Sequence, residues 1–167
     1  MKRRRGQAFL LVLASCVGCD HASKRAAEAW LGGTGGVGLA GDTLQFQLVS
    51  NPGAFLSLGA GLPEPVRQGI LLVGVPLLIG LVCLHFARHV RVSRAQWLAV
   101  ALVSGGGLGN WLDRVLHHGA VTDFVSIGFA GLRTGIFNLA DLAVVAGVGV
   151  LLVSTWGSSP EADSRPD

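Results

Sequence analysis

Asp123 and Asp141 stand eighteen positions apart in a chain whose long segments are otherwise almost wholly apolar. Asp123 lies in Val121-Thr122-Asp123-Phe124, just beyond one apolar segment. Asp141 lies in Phe137-Asn138-Leu139-Ala140-Asp141, inside the start of the next. A carboxylate at membrane depth costs about 2.5–3.5 kcal/mol on insertion scales, so its presence there is a functional signal. Two carboxyls that converge on one site cannot readily both ionise, and they share a proton. The ionised member can take a proton from water while the protonated member polarises the carbonyl that the water attacks. The pair therefore points to an aspartyl dyad that activates water.

Other polar residues interrupt the apolar runs at helical spacing. Asp20 and Lys24 are four apart, acid before base, a favourable helical pair. Asn110, Asp113 and Arg114 follow at i, i+3 and i+4 and so share one helix face, as do Asn138 and Asp141 at i, i+3. Asn51-Pro52-Gly53 has the composition of a turn. Cys16 and Cys19 have a CxxC spacing, but no second pair or nearby histidine supports a zinc site. The adjacent pairs His117–His118 and Arg88–His89 also lack metal-ligand spacing. No metal and no cofactor is expected.

Half of the 167 residues are hydrophobic and only 14% are charged, which fits one membrane-embedded unit. Four segments are candidate spans: about 6–30, 68–86, 96–112 and 135–156. A span needs about 20 mostly apolar residues, so the second and fourth qualify directly. The third is broken by small residues and Asn110, and the first has only a short apolar core. The expected fold class is an all-α membrane protein, a four-helix transmembrane bundle over residues 1–157, with 158–167 as a disordered cytoplasmic tail. Between them, residues 42–58 alternate at Leu44, Phe46 and Leu48, the period of a half-buried strand, and form a small extracytoplasmic β-element. Pro76 within the second span is tolerated in a membrane and suggests a kink. Gly105 with Gly109, and Ala143 with Gly147, offer small-residue helix contacts.

The net charge of +3 is concentrated in Lys2–Arg5 and in Arg88, Arg91 and Arg94. Basic residues flanking spans mark the cytoplasmic side, which puts both termini inside and Asp123 near the outer face. No soluble basic face exists, so nucleic acid is not an expected partner.

The N-terminus admits two readings. Lys2–Arg5, the apolar Ala8–Ala14 and Leu13-Ala14-Ser15-Cys16 together look like a bacterial lipobox, with processing at Cys16. The run Asp20-His21-Ala22-Ser23-Lys24 continues without proline, and a helix through it reaches membrane length by about Trp30. The second reading, a retained span, is the one adopted.

Taken in order, Asp20-x-x-Ser23-Lys24, Asn51-x-Gly53-Ala54, Gly105-Gly106-x-x-Gly109-Asn110-x-x-Asp113-Arg114, Val121-x-Asp123-Phe124 and Phe137-Asn138-x-Ala140-Asp141 resemble bacterial lipoprotein signal peptidase, the type II signal peptidase among membrane aspartyl proteases. The match covers most of the chain. The resemblance implies four transmembrane helices with an outward β-cradle and a periplasmic helix. It makes Asp123 and Asp141 the catalytic pair. Asp20, Lys24, Asn51, Gly53, Asn110, Asp113, Arg114, Asn138 and Ala140 become support or substrate-contact positions, with Asp113 assigned to support Arg114. The implied substrate is a prolipoprotein whose lipobox cysteine carries diacylglycerol, cleaved just before that cysteine by a monomer in the inner membrane among its lipids. One departure stands out: the family usually reads Asn-x-Gly-Ala-Ala-Phe, and Asn51-Pro52-Gly53-Ala54-Phe55 is one residue shorter. The competing readings are a non-catalytic or specificity-altered homologue that binds an inhibitor, and a lipoprotein itself processed at Cys16.

Overall fold

The computed structural model describes residues 2–41, 43–89 and 92–156, with backbone alone for 2–4. Arg91 and the tail expected at 158–167 lie outside the described residues. Helix α1 (Lys2–Leu31) runs unbroken through Cys16 and the Asp20–Lys24 pair, as the longer reading of the first segment requires. A glycine-rich turn leads to strands β1 (Val37–Leu39) and β2 (Leu44–Asn51), then a 3₁₀ turn at Phe55–Ser57. Helix α2 (Glu64–Gln68), a π-helical turn (Gly69–Gly74) and α3 (Val75–Arg88) follow in succession. Helix α4 (Arg94–Leu116) comes next, then β3 (Val121–Phe129), β4 (Leu132–Arg133) and α5 (Leu139–Trp156).

The molecule is inverted relative to a water-soluble globule. Its most deeply buried side chains include Asp20, Asn138, Asp113 and Asp123. Leu77, Leu78 and Leu81 of α3 and Val145, Leu152 and Val153 of α5 face outward. Polar groups facing the interior and leucines facing out is the arrangement that lipid imposes. This is an all-α membrane protein with a small β-sheet. Among the described residues, two helical stretches, Glu64–Arg88 and Leu139–Trp156, are long and apolar enough to cross a membrane.

Helix α4 is the central post, packed against α5, α1 and α3. Successive residues turn about 100° around a helix, so the run Gly105-Gly106-Gly107 presents one glycine to each neighbour. A Cβ on Gly105 would lie 2.6 Å from Cys16 Cβ on α1, and one on Gly107 would lie 2.7 Å from Ile79 Cδ1 on α3. A Cβ on Gly106 would collide with the carbonyl oxygen of Ala140 on α5. The expected Gly105/Gly109 contact is made along one seam, with Gly109 against Asp20 one turn beyond Cys16. Gly147 of α5 completes the approach from the other side, against Ala99 and Val103. Small residues bring the backbones close enough for short polar side chains to meet between them.

A π-helical turn, Gly69–Gly74, lies just before Pro76, where a kink was expected. Proline has no N–H to donate to the carbonyl four residues earlier, which belongs to Leu72. That carbonyl accepts the indole N–H of Trp111 on α4 at 2.9 Å. The proline defect thus ties α3 to the post.

The β-element is larger than the sequence suggested. β1–β4 form one antiparallel sheet in the order β1-β2-β3-β4. Only the β2 part of it was expected. β3, which pairs with β2 across a bulge between Phe46 and Val49, was not. The fourth helix is correspondingly shorter than 135–156. Phe137 pairs with Val125 of β3 as an extended residue, and the helix starts only at Leu139. Phe124 of the sheet packs on Ala27 and Leu31, fastening the sheet to the end of α1.

Candidate active site

At the sheet-bearing end of the bundle, five elements each deliver polar side chains to one buried cluster. β3 carries Asp123, and the start of α5 carries Asn138 and Asp141. The last turns of α4 carry Asn110, Asp113 and Arg114. α1 carries Asp20 and Lys24, and the end of β2 carries Asn51. All of these are buried except Asn110, which is partly buried.

Asn138 joins the two aspartates. It caps α5 reciprocally with Asp141: the Asp141 N–H donates to Asn138 Oδ1 at 3.0 Å, and the Asn138 N–H donates to Asp141 Oδ2 at 3.2 Å. This satisfies helix-start donors that would otherwise be orphaned, and it fixes the Asp141 rotamer. The Asn138 Nδ2 then donates to Asp123 Oδ1 at 2.6 Å and to Asn110 Oδ1 at 3.0 Å. Asn51 Nδ2 donates to the other Asp123 oxygen, Oδ2, at 2.8 Å. Asn110 Nδ2 donates to Asp141 Oδ1 at 2.8 Å. Each of the four carboxylate oxygens therefore accepts one bond from a neutral amide. Among the described residues, no cation donates to either aspartate.

That environment shows in the acidity of Asp123. Burial pushes its carboxyl up to about 6, and neighbouring Asp141 adds to the rise. The bonds from Asn51 and Asn138 and the more distant charge of Lys24 oppose it. A carboxyl near 6 can hold or release a proton near neutral pH.

A second cluster lies against the first and is built on charge. Lys24 Nζ donates to Asp20 Oδ2 at 2.7 Å and to Asn110 Oδ1 at 3.1 Å, and pairs with Asp113 Oδ2 at 3.1 Å. Asp20 Oδ1 accepts the Ala140 N–H at 3.0 Å, so a carboxylate from α1 caps the first turn of α5. That bond gives Ala140 its place in the site: a backbone donor on a residue small enough for α4 to approach. Asp113 Oδ2 also accepts the Thr122 N–H at 2.8 Å, next to Asp123. Asp113 therefore holds Lys24 and strand β3 directly, while its charge favours the Arg114 guanidinium without a hydrogen bond to it. Arg114 instead donates to the Gly53 carbonyl at 2.6 Å and to the Asn110 carbonyl at 3.0 Å. The Gly53 N–H donates to Asn51 Oδ1 at 2.9 Å, which closes the turn that aims Asn51 at Asp123.

The structure thus brings every expected residue to one place. It adds two contacts that the sequence reading missed, the Thr122 N–H and the His117 Nδ1 at 3.1 Å from Asp113 Oδ1. The signal for the first was present. Val121, Asp123, Val125, Ile127 and Phe129 alternate with the other face, a strand period overlooked because the segment follows a span. Among the described residues, no group of three or more histidine, cysteine or acidic side chains could hold a metal ion.

Comparison with known proteins gives the family. A family profile described as "Signal peptidase (SPase) II" matches residues 12–157. A lipoprotein signal peptidase of Treponema denticola is 38% identical over 122 residues, covering 68% of this chain and 69% of that protein. One from Leifsonia xyli subsp. xyli is 38% identical over 153 residues, covering 88% and 66% respectively. The fold is similar to that of a bacterial membrane enzyme solved by the in meso method at 2.3 Å resolution, with a TM-score of 0.78 and 21% identity over 96% of this chain and 95% of the other. With the family's profile matching residues 12–157 of 167, the chain belongs to the signal peptidase II family, whose members are membrane hydrolases of the aspartyl-protease type.

Proposed function

We propose that the chain is an endopeptidase that uses Asp123 and Asp141 to cleave diacylglyceryl-modified prolipoproteins just before the lipidated cysteine. The observation that carries the reading is the bridge through Asn138. One side chain and its backbone N–H hold a carboxylate from the sheet and one from α5 in a buried, amide-lined site. The pair shares a proton. Water enters between the carboxyls, the ionised one removes its proton, and the oxygen attacks the scissile carbonyl while the protonated one donates to the carbonyl oxygen. The tetrahedral intermediate collapses with proton transfer to the leaving amine. Lys24 does not enter this chemistry. It balances Asp20 and Asp113 and holds Asn110, which orients Asp141.

The same reading has α1, the Glu64–Arg88 stretch, α4 and α5 crossing the membrane, with both ends of the chain cytoplasmic and the dyad near the outer face. Lys2–Arg5 and Arg88–Arg94 favour that orientation. The unbroken α1, with Cys16 seated against Gly105, supports a retained first span over processing at Cys16. A lipid-anchored substrate suits such a site, because the diacylglyceryl group holds the scissile bond at the membrane surface.

Complementation tests the activity. In a bacterial strain depleted of its own lipoprotein signal peptidase, expression of this chain should restore growth and clear the uncleaved, lipid-modified precursor. Membrane-inserted protein with persistent precursor would overturn the reading.

A further inference from the structure

A cleft of about 430 Å³ opens between α1 and α4 at the end of the bundle away from the carboxylates. Arg94, on its rim, is sixteen positions from Asn110 along α4, roughly 24 Å at 1.5 Å per residue. The cleft is therefore separate from the site described above. Its walls are apolar, built from Val12, Leu98 and Ala101, and from Phe9 and Trp97. The two rings meet edge to face, with centroids 5.7 Å apart. The volume lies within the ~300–1,000 Å³ range of ligand pockets.

Its rim is cationic. Arg5 and Arg94 flank the opening, and Arg5 Nη1 donates to the Val92 carbonyl at 3.3 Å, which holds the guanidinium beside the cleft. Among the described residues, neither arginine has a carboxylate partner. The first turn of α4 carries Arg94 and no acid, so the positive end of the helix dipole adds to the side-chain charge. Lys2, Arg3 and Arg4 precede Arg5 in the sequence. An apolar slot under two arginines that have no carboxylate partner among the described residues, at the end of a membrane helix pair, complements one ligand chemistry: an acyl chain below a phosphate.

We propose that this cleft binds an anionic diacyl phospholipid of the leaflet facing that end of the bundle. One acyl chain lies between α1 and α4 over Phe9 and Trp97, and the phosphate is held by Arg5 and Arg94. The site would wedge the α1–α4 seam on which the Gly105 and Gly109 contacts depend.

Native mass spectrometry of the full chain, released from detergent with equimolar phosphatidylglycerol and phosphatidylcholine, tests it. Wild type should retain phosphatidylglycerol preferentially. Arg94→Gln, at an exposed position, should cut that preference about fivefold, and Arg5→Gln with Arg94→Gln about 25-fold, from the worth of one basic residue at a membrane surface. Arg94→Lys should keep it. Ala8→Trp, which fills the cleft from its exposed lip, should reduce retention of both lipids while the circular dichroism spectrum stays unchanged. Equal retention of the two lipids by wild type would overturn the proposal. So would an undiminished preference in the double variant, displacement by inorganic phosphate alone, or a dimer that excludes lipid from the cleft.

Discussion

Four buried aspartates lie within one end of this molecule, and they divide into two pairs by their partners. Asp20 and Asp113 face a cation: Lys24 lies 2.7 and 3.1 Å from them. Asp123 and Asp141 face amides from Asn51, Asn110 and Asn138. A lysine between two carboxylates ties them together and makes them scaffold. Amide donors satisfy the oxygens without supplying charge, so the desolvated Asp123 carboxyl keeps a claim on a proton. Asn110 touches both pairs, accepting from Lys24 through Oδ1 and donating to Asp141 through Nδ2. The charged cluster thereby sets the orientation of the reactive one without neutralising it.

The sharpest way to break the scaffold half is Asp20→Ala. It leaves Lys24 with one fewer counter-charge and leaves the Ala140 N–H without its acceptor. Loss of one partner of a buried pair costs about 3–5 kcal/mol. The amount of folded protein in membranes should fall sharply, and Asp20→Ala with Lys24→Ala should lose less than the two single variants summed. Accumulation of Asp20→Ala at wild-type levels would show the pair to be a solvated surface feature.

A smaller loss is expected from the packing that brings the pairs together. Gly106→Ala pushes a methyl group into the Ala140 carbonyl, and overpacking of this kind costs about 1–3 kcal/mol. Because Ala140 adjoins Asp141, activity per folded molecule should fall along with thermal stability. Gly149→Ala, where the added carbon meets nothing, is the control that should change neither.

The smallest effect separates the pairs by pH. The Asp123 carboxyl sits near 6 in the folded protein, above its ordinary value of 3.8. A raised carboxyl makes the folded state bind more protons than the unfolded state. Its favourable contribution is therefore complete below about pH 4 and is lost as pH rises through 6. The stability of wild type relative to Asp123→Asn should fall between pH 4 and 7, by ~1.4 kcal/mol per pH unit at most. Thermal melts across that range measure it, and a flat difference would show that Asp123 is not held in a proton-retaining environment.

Much of the scaffold was legible in the sequence because membrane helices advertise themselves. The apolar runs gave the helices to within a few residues, the Gly105/Gly109 spacing gave a close helix contact without its partner, and Asp20 with Lys24 gave a buried pair. What escaped was long-range. β3 is a strand because it pairs with β2 more than seventy residues earlier, and nothing local fixes that partner. Phe137 is extended because Val125 takes its backbone bonds, so α5 starts later than hydropathy suggests. Asp113 shares a helix face with Arg114, yet the fold offers it Lys24 from α1. Spacing along one helix says which residues point the same way, and the neighbouring helix decides what they meet. The shortened Asn51–Phe55 segment is of this kind too. Leu56 and Ser57 just beyond it adopt positive φ of 53° and 63°, a conformation disfavoured for side chains other than glycine. The tight turn nevertheless aims Asn51 at Asp123.

The division into two pairs is tested most directly by one asparagine series in a single assay. Purified wild type, Asp123→Asn, Asp141→Asn and Asp113→Asn, reconstituted in lipid at equal amounts, are each given a diacylglyceryl-modified prolipoprotein, and cleavage is followed by mass spectrometry. The account predicts no detectable product from Asp123→Asn or Asp141→Asn, because each keeps the shape but removes half of a relay that needs one ionised and one protonated carboxyl. It predicts measurable turnover from Asp113→Asn, whose role is to hold Lys24 and β3. Cleavage persisting in either member of the amide-lined pair, or abolished equally in all three variants, would contradict it.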